Sequence, residues 1–414
     1  MQGATLAVDF GTSNSAAALA HGGRVWRLPI EAGRETLPTA VFFPTGGAMR
    51  VGAAAGASLI AGDDGRYMRA LKSVLGLPLL HETRLLGGKR QSLADVITAF
   101  LATVKSRAEA ETGMRFDRVL SGRPVHFHSR APEKDLQAEA DLRACYEAAG
   151  FTDVAFLPEP EAAAHATQAM GDANAPALIV DIGGGTSDFS VFRGQGGSVE
   201  ILANHGIRLG GTDFDQLLSL AFAMPALGLG GELRREMGAG RLPVPRAPYV
   251  DLATWAKIPF LYTAQTRRMV DEMVRLAVEP EKLARFATVL EMELGHDLAF
   301  AVEAGKIAAN GAAGQGRIDM AMIEPGLSAP LLAEAMNAEL SAARAALGEA
   351  AREALAMAGI APEALGRVIL VGGSSLMDFV GQEMQAVSPN AQILRSEAFT
   401  AVVDGLALAA SRLA

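Results

Sequence analysis

The chain has a single cysteine, Cys145, so an intrachain disulfide framework is excluded and a reducing compartment is expected. Cys145 lies in a helical pattern, DLRACYEAAGF, and reads as a small buried hydrophobe rather than a reactive thiol. Long apolar runs are also missing. No window approaches about 18 uninterrupted apolar residues, which argues against a membrane span. The N-terminus enters a strand-like pattern with no basic segment and long apolar stretch before it, so no secretory signal is expected and the cytoplasm is the expected compartment. Only a fifth of the residues are charged; the net charge is −9, with no basic block. That balance excludes a nucleic-acid backbone as the main partner. Several functional signatures are absent. No GxxxxGK[ST] occurs, no GxGxxG opens a helix after a strand, and neither HExxH nor GxSxG is found. His126 and His128 fall on one expected strand face, but the further ligands of a zinc site are missing, so both read as structural.

What is present is apolar bulk, much of it alanine: half of the 414 residues are hydrophobic. A chain of this length suits two domains or lobes. Residues 5–10 and 15–20 read as strands around a Gly-Thr-Ser-Asn turn. Ser92 and Asp95 form a capping-box pattern ahead of a helix over 93–112, with Gly113 as its stop. Residues 116–127 read as strand, 132–149 as helix and roughly 161–170 as an alanine-rich helix, with GDANAP at 171–176 as a linker. The pattern then restarts with strands over 177–182, 188–193 and near 198–204. Residues 225–250 read as a surface excursion. Helices are expected through 309 and over 329–358, then a buried strand at 367–373 and a closing helix at 398–413. The aromatic segment PYVDLATWAKIPFLY (248–262) reads as core. Alternating strands and helices place the chain in the α/β class.

Two stretches echo each other: AVDFGTSNSA at 7–16 and VDIGGGTSDFS at 180–190. Each is an apolar run, Asp, apolar, Gly, then Thr-Ser closed by Asn or Asp. A tight turn between strands lines up backbone N–H groups, and glycine supplies positive φ and room for a ligand to touch the backbone. Thr12, Ser13 and Thr186 can add hydroxyl donors. Asp9 and Asp181, at the strand ends, can hold Mg²⁺ through water against phosphate oxygens. A single copy would be a hairpin turn. Two matched copies point to a clamp that grips a polyphosphate from both sides, one from each half of the chain.

These residues resemble the nucleotide-binding domain of the Hsp70 chaperones, within the superfamily of actin, sugar kinases and Hsp70 ATPases. DFGTSNS and VDIGGGTSDFS resemble the two phosphate motifs, and LGGTDFD (209–215) resembles the segment that follows the second. ALKSVLG (70–76) is similar to the region of the catalytic lysine. LPEPEAAAHA (157–166) resembles the connecting motif, and VILVGGSS (368–375) the adenosine motif. The resemblance implies an actin-like ATPase fold, two ribonuclease H-like lobes around a nucleotide cleft, each with an inserted subdomain. Lobe I would span 1–176 with a helix at 395–414 returning to it. Lobe II would span 177–394, with a helical insertion at about 216–306. A peptide-binding domain is not expected.

The same resemblance assigns roles. Lys72 would stabilise charge on the γ-phosphoryl group, Glu159 would orient water, and Pro160 would be the switch proline. Asp181 or Asp188 would accept the proton. Asp9 and Asp181 would organise Mg²⁺. Gly11, Thr12, Ser13, Asn14, Gly183, Gly184, Gly185 and Thr186 would hold the phosphates, with Gly210 and Gly211 behind them. Glu303, Lys306, Gly372, Gly373 and Ser374 would meet the adenosine, while Ile307 and Leu376 stand where the family stacks the base on arginine. The implied cofactors are ATP or ADP with Mg²⁺. The implied function is an ATP-binding, chaperone-type protein whose closure signals to a protein partner or co-chaperone, as a monomer or weak oligomer. The resemblance leaves ATP hydrolysis open. An actin-like filament protein and a small-molecule kinase are the alternatives; the lysine segment and PEPEAAA favour the first reading.

Overall fold

The structure, a computed structural model, describes residues 4–129, 131–167, 175–195, 198–395 and 400–413. The expected linker at 171–174, the end of the helix at 168–170 and the start of the closing helix at 398–399 lie outside the described residues. The chain divides into two compact units, one formed by residues 1–211 with 344–414 and the other by 212–343.

The first unit is built on two sheets with the same connectivity. In one, strand Thr5–Phe10 forms a hairpin with Asn14–His21 and runs parallel to Arg118–Arg123, which in turn runs parallel to Asp153–Pro158. In the other, Ala177–Ile182 forms a hairpin with Ser187–Gln195 and runs parallel to Arg367–Val371, which runs parallel to Gln392–Arg395. Each hairpin continues into a third antiparallel strand, Arg24–Arg27 in one sheet and Ser198–Ile207 in the other. The repeated turn motif is thus the visible part of a repeated sheet topology. Every residue of Ala177–Ile182 is buried, as expected for a parallel strand covered on both faces.

Two helices pack against both sheets. Glu159–Thr167 and Ala401–Leu413 share a core with Ala7, Ala16 and Leu120 of one sheet and Ile179, Phe192 and Ile369 of the other. Alanine and glycine allow these helices to approach closely: a Cβ on Gly405 would collide with the carbonyl oxygen of Ala162. This crossing explains the run of alanines on the facing sides of these two helices, because larger side chains would separate them.

Helix Leu93–Thr112 has the expected reciprocal cap between Ser92 and Asp95, and Gly113 ends it in a left-handed conformation. The helix expected from about 161 begins earlier, at Glu159, with Pro160 in its first turn. Proline suits that position because its missing N–H would have no intrahelical partner there.

The second unit holds helices Ala264–Leu276, Pro280–Glu291 and Gly295–Asn310 and two hairpins. One hairpin, Gln315–Asp319 with Ser328–Leu332, replaces the start of the helix expected over 329–358; helices there are Ala333–Glu339 and Ser341–Met357, the latter belonging to the first unit from Arg344 on. The 225–250 excursion contains a second hairpin, Glu232–Arg234 with Arg241–Pro243. Tyr249, Leu252, Trp255 and Ile258 are buried, so the aromatic segment is core. Among the described residues no helix is long and apolar enough to cross a membrane.

Candidate functional site

The two glycine turns meet within the first unit. A Cβ on Gly184 would lie 2.7 Å from Ser13 Oγ and 3.0 Å from Thr12 Cβ, so the second turn rests directly on the first. None of Gly11, Gly183, Gly184 and Gly185 has a positive φ, contrary to the conformational reason inferred from the sequence. Close approach is the reason instead. A side chain on Gly11 would strike the carbonyl of Asn14, and one on Gly184 would push the turns apart. The second turn is closed by Gly183 N–H donating to Thr186 O at 3.0 Å.

Two further glycine segments seat themselves on this turn. A Cβ on Gly210 would lie 2.6 Å from the backbone nitrogen of Gly185, and Gly211 N–H donates to Gly183 O at 3.0 Å. Gly211 also faces Ser374 Oγ too closely for a side chain. Gly372, with φ +83°, abuts Asp181 and the carbonyl of Ile182, a position only glycine fills without strain. The structure therefore gathers residues 11–14, 183–186, 210–211 and 372–374, although they are distant in sequence.

Beside the turns lies a dense set of charges. Lys72 and Glu159 are both buried and form an ion pair. Glu159 is the first residue of its helix, where the N-terminal dipole also favours its charge, and Gly122 leaves the space its side chain occupies. Asp9 is the last residue but one of its strand, and Asp181 and Asp188 face each other across the antiparallel pair Ala177–Ile182 and Ser187–Gln195. Asp188 Oδ1 accepts a 2.6 Å hydrogen bond from Val125 N–H, which ties this strand to the segment after Arg118–Arg123.

Four carboxylates thus lie around one ammonium, and the proton affinities of Asp9, Asp181 and Asp188 reflect their burial and this company. Burial and then the charge of Glu159 push Asp9 up to about 7, against the opposing pull of Lys72. Burial, then Glu159, raises Asp188 to about 8, although hydrogen bonds from Val125 and Thr186 favour its ionised form. Asp181 is held well above the usual carboxylate range by burial and by Glu159, Asp188 and Asp9. Lys72 is buried, which disfavours its charge, yet Glu159, Asp9 and Asp188 outweigh this and raise it above the ordinary lysine value.

The remaining candidates, Glu303 and Lys306, lie on helix Gly295–Asn310 of the second unit. Lys306 Nζ sits 2.6 Å from buried Asp215, whose other oxygen accepts from Trp255 Nε1 at 3.2 Å. Ile307 on the same helix is exposed, as is Leu376 in the first unit.

No three His, Cys, Asp or Glu side chains converge as a direct metal cage among the described residues. The donor set nevertheless fits Mg²⁺, which uses hard oxygens, keeps several waters and commonly takes only one or two carboxylates alongside phosphate. Burial first, and then the neighbouring carboxylates, raises the proton affinities of Asp9 and Asp181, as in a buried acidic site that a cation would relieve.

Three groups near the site carry no sequence signature. Val125 contributes only a backbone N–H, and Asp141 and Arg208 bind the loop around Lys72. His126 Nδ1 lies 3.1 Å from Asp135, and His128 Nε2 lies 2.8 Å from Leu75 O; both follow the strand rather than sharing its face.

Residues 80–225 match the family model described as Hsp70 protein. That stretch is Hsp70-like and supports ATP binding, and it contains Glu159, the turn at 183–186 and the segment at 210–211. The mixed α/β sheets described above are consistent with the actin-like ATPase fold that the match implies. Lys72, the first turn, Glu303, Lys306 and Gly372–Ser374 lie outside the matched residues.

Proposed function

We propose that this protein binds ATP with Mg²⁺ at its paired glycine turns, hydrolyses it slowly to ADP and phosphate, and signals its nucleotide state to a protein partner in the manner of a chaperone ATPase. The observation that carries the reading is the buried excess of acidic groups: Asp9, Glu159, Asp181 and Asp188 around Lys72, beside two interlocked glycine turns. Structural ion pairs normally balance. A cluster short of positive charge next to backbone donors suits a bound polyphosphate and its cation.

In this reading the backbone and hydroxyls of Thr12, Ser13, Asn14 and Gly183–Thr186 hold the phosphates, and Gly210, Gly211, Gly372, Gly373 and Ser374 keep the second turn in shape. Asp9 and Asp181 hold Mg²⁺, which when bound neutralises charge on the phosphate oxygens. Lys72 presents its ammonium to the transferring group, and Glu159, fixed by that lysine, orients water. Asp181 or Asp188 receives the proton; burial and neighbouring carboxylates raise the proton affinity of both, Asp188 to about 8, which suits either to that exchange. Phosphoryl transfer depends chiefly on positioning and electrostatics, so these groups are sufficient for slow turnover. Glu303 and Lys306, the latter steered by Asp215, are proposed as contacts for the adenosine, and the two sheets as the cores of two lobes.

Calorimetric titration with ATP, ADP and GTP in the presence of Mg²⁺, joined to phosphate release for wild type, Lys72→Ala and Asp181→Ala, tests the reading. Binding of ATP with turnover that both variants lose supports it. No binding of any nucleotide overturns it, and binding without turnover recasts the protein as a nucleotide sensor.

A further inference from the structure

The loop that carries Lys72 is held from several sides. It opens at Ala70, a non-glycine residue with φ +58°, so its entry is conformationally unfavourable and must be maintained by its surroundings. Asp141 Oδ2 accepts Gly76 N–H at 3.0 Å, and Asp141 Oδ1 lies 3.2 Å from His81 Nε2. On the other side Arg208 Nη2 donates to Ser73 O at 3.2 Å, and Arg208 Nη1 lies 2.7 Å from His128 Nδ1.

The chemistry of these contacts fixes the imidazole. A guanidinium has only donors, so His128 Nδ1 must be the acceptor. Leu75 O has only lone pairs, so His128 Nε2, 2.8 Å away, must carry the proton. His128 is therefore neutral, and it relays Arg208 onto the backbone of the lysine loop. Arg208 itself belongs to the segment Gly206–Gly211, whose other contacts reach the second glycine turn. Ser187 Oγ donates to Leu209 O at 2.6 Å, Gly211 N–H to Gly183 O at 3.0 Å, and Gly210 lies against Gly184 and Gly185. One short segment thus touches the phosphate turn at one end and the lysine loop in its middle.

We infer that Arg208 and His128 are positioning residues for Lys72, bracing the lysine loop against the glycine turn at 183–186 through the unprotonated Nδ1 of His128. The inference rests on the proposed hydrolysis for its kinetic readout, but the brace exists without nucleotide. It also makes the site sensitive to acid. Protonating His128 places a hydrogen on Nδ1, removes the acceptor and sets a cation against Arg208. Burial, followed by Arg208 and Lys134, keeps His128 below its ordinary value, with the bond to Leu75 O and the charge of Asp135 acting in the other direction. The contact is intact at neutral pH and opens below it.

The variants Arg208→Ala, His128→Ala, His128→Asn and His128→Gln separate the possibilities. The asparagine oxygen overlays Nδ1 and keeps the acceptor for Arg208; the glutamine amide overlays Nε2 and keeps only the donor to Leu75. Arg208→Ala and His128→Ala are expected to lower kcat for phosphate release about tenfold with little change in ATP affinity, the loss expected from a misplaced charged group. His128→Asn restores most of kcat, His128→Gln does not, and the acidic fall of kcat in wild type disappears in His128→Asn. In the nucleotide-free protein, nitrogen NMR at pH 7.5 should show His128 protonated on Nε2 only, and Arg208→Ala should raise its titration point and speed amide exchange at residues 73–76. A doubly protonated or Nδ1-protonated ring, or exchange and kcat unchanged in Arg208→Ala, overturns the brace. Equal losses of kcat and ATP affinity in all four variants overturn it as well, because they mark a general structural defect. If no nucleotide binds, the proposed function fails while the NMR and exchange results still decide the brace.

Discussion

Replacing Lys72 with methionine keeps most of the side-chain volume and removes the charge at the centre of the carboxylate cluster. Glu159 then loses its ion-pair partner in a buried setting. Breaking a buried pair by deleting one member costs about 3–5 kcal/mol. The protein can escape only by taking up a proton. Neutralising a carboxylate of ordinary glutamate acidity costs about 3.7 kcal/mol at pH 7 and about 1 kcal/mol at pH 5. Lys72→Met should therefore lower unfolding free energy by about 3–4 kcal/mol at pH 7, and by much less at pH 5. In a Glu159→Gln background the same substitution should cost under about 1.5 kcal/mol, the range of a volume-conserving swap. Urea unfolding followed by circular dichroism, run as a double-mutant cycle at both pH values, measures each quantity. Equal costs in the two backgrounds, or a cost that does not shrink in acid, would refute the claim that Lys72 neutralises Glu159 in the folded protein.

Other outcomes follow from the same geometry. Asp9 and Asp188, raised to about 7 and about 8, bind protons in the folded state that the unfolded chain releases. Their contribution to stability is full at low pH and lost as pH rises through those values, so the nucleotide-free protein should become more stable between pH 8.5 and 6.5, by up to about 1.4 kcal/mol per unit for each group; a flat urea midpoint over that window contradicts this. Below about 6.5 the histidines held neutral, His128, His165 and His205, act in the opposite sense, because their stabilisation is lost as they charge. Gly405→Ala places a methyl group against Ala162 O and should cost at least the 1–3 kcal/mol of overpacking, read as a lower thermal midpoint. Gly372→Ala combines a left-handed backbone with a clash at Asp181 and should lower nucleotide affinity more than it lowers stability, which calorimetry and urea unfolding would compare. Cys145 is buried with its thiol pushed up to about 11, so a thiol reagent should label it only as fast as the protein opens; rapid labelling of native protein would contradict this.

The legible parts of this structure were local or repeated. Helix Leu93–Thr112 could be read because its cap, apolar spacing and terminal glycine lie within one short window. The two hairpins could be read because they repeat. Hairpin Gln315–Asp319 with Ser328–Leu332 could not, because SAPLL carries no strand alternation and its pairing is settled by packing, with Gly316 lying against Gly305 and Ala309 of the neighbouring helix. The early start of the helix at Glu159 was obscured by Pro-Glu-Pro, which reads as a break although proline is well suited to a first turn. At the site, residue types were visible and their company was not. Lys72 is 87 residues from Glu159, and no local pattern announces that they meet. Family likeness gave each of them a separate role, and the structure supplied the pairing and its electrostatic setting. Arg208 had no signal at all, since one arginine after a strand is ordinarily a solvated side chain.

The facing of Asp181 and Asp188 across adjacent strands has a consequence for measurement. Two buried acids with raised proton affinities, placed opposite one another, hold protons that a bound cation would displace. Under the proposed function, filling the site expels those protons into the medium, and the buffer takes them up with its own heat of ionisation. Titrations in Pipes and in Tris should then give different apparent enthalpies at one affinity, and their difference, divided by the difference in buffer heats, counts the protons released. On that reading protons occupy these oxygens in the empty site, and a bound cation competes with them for the same positions.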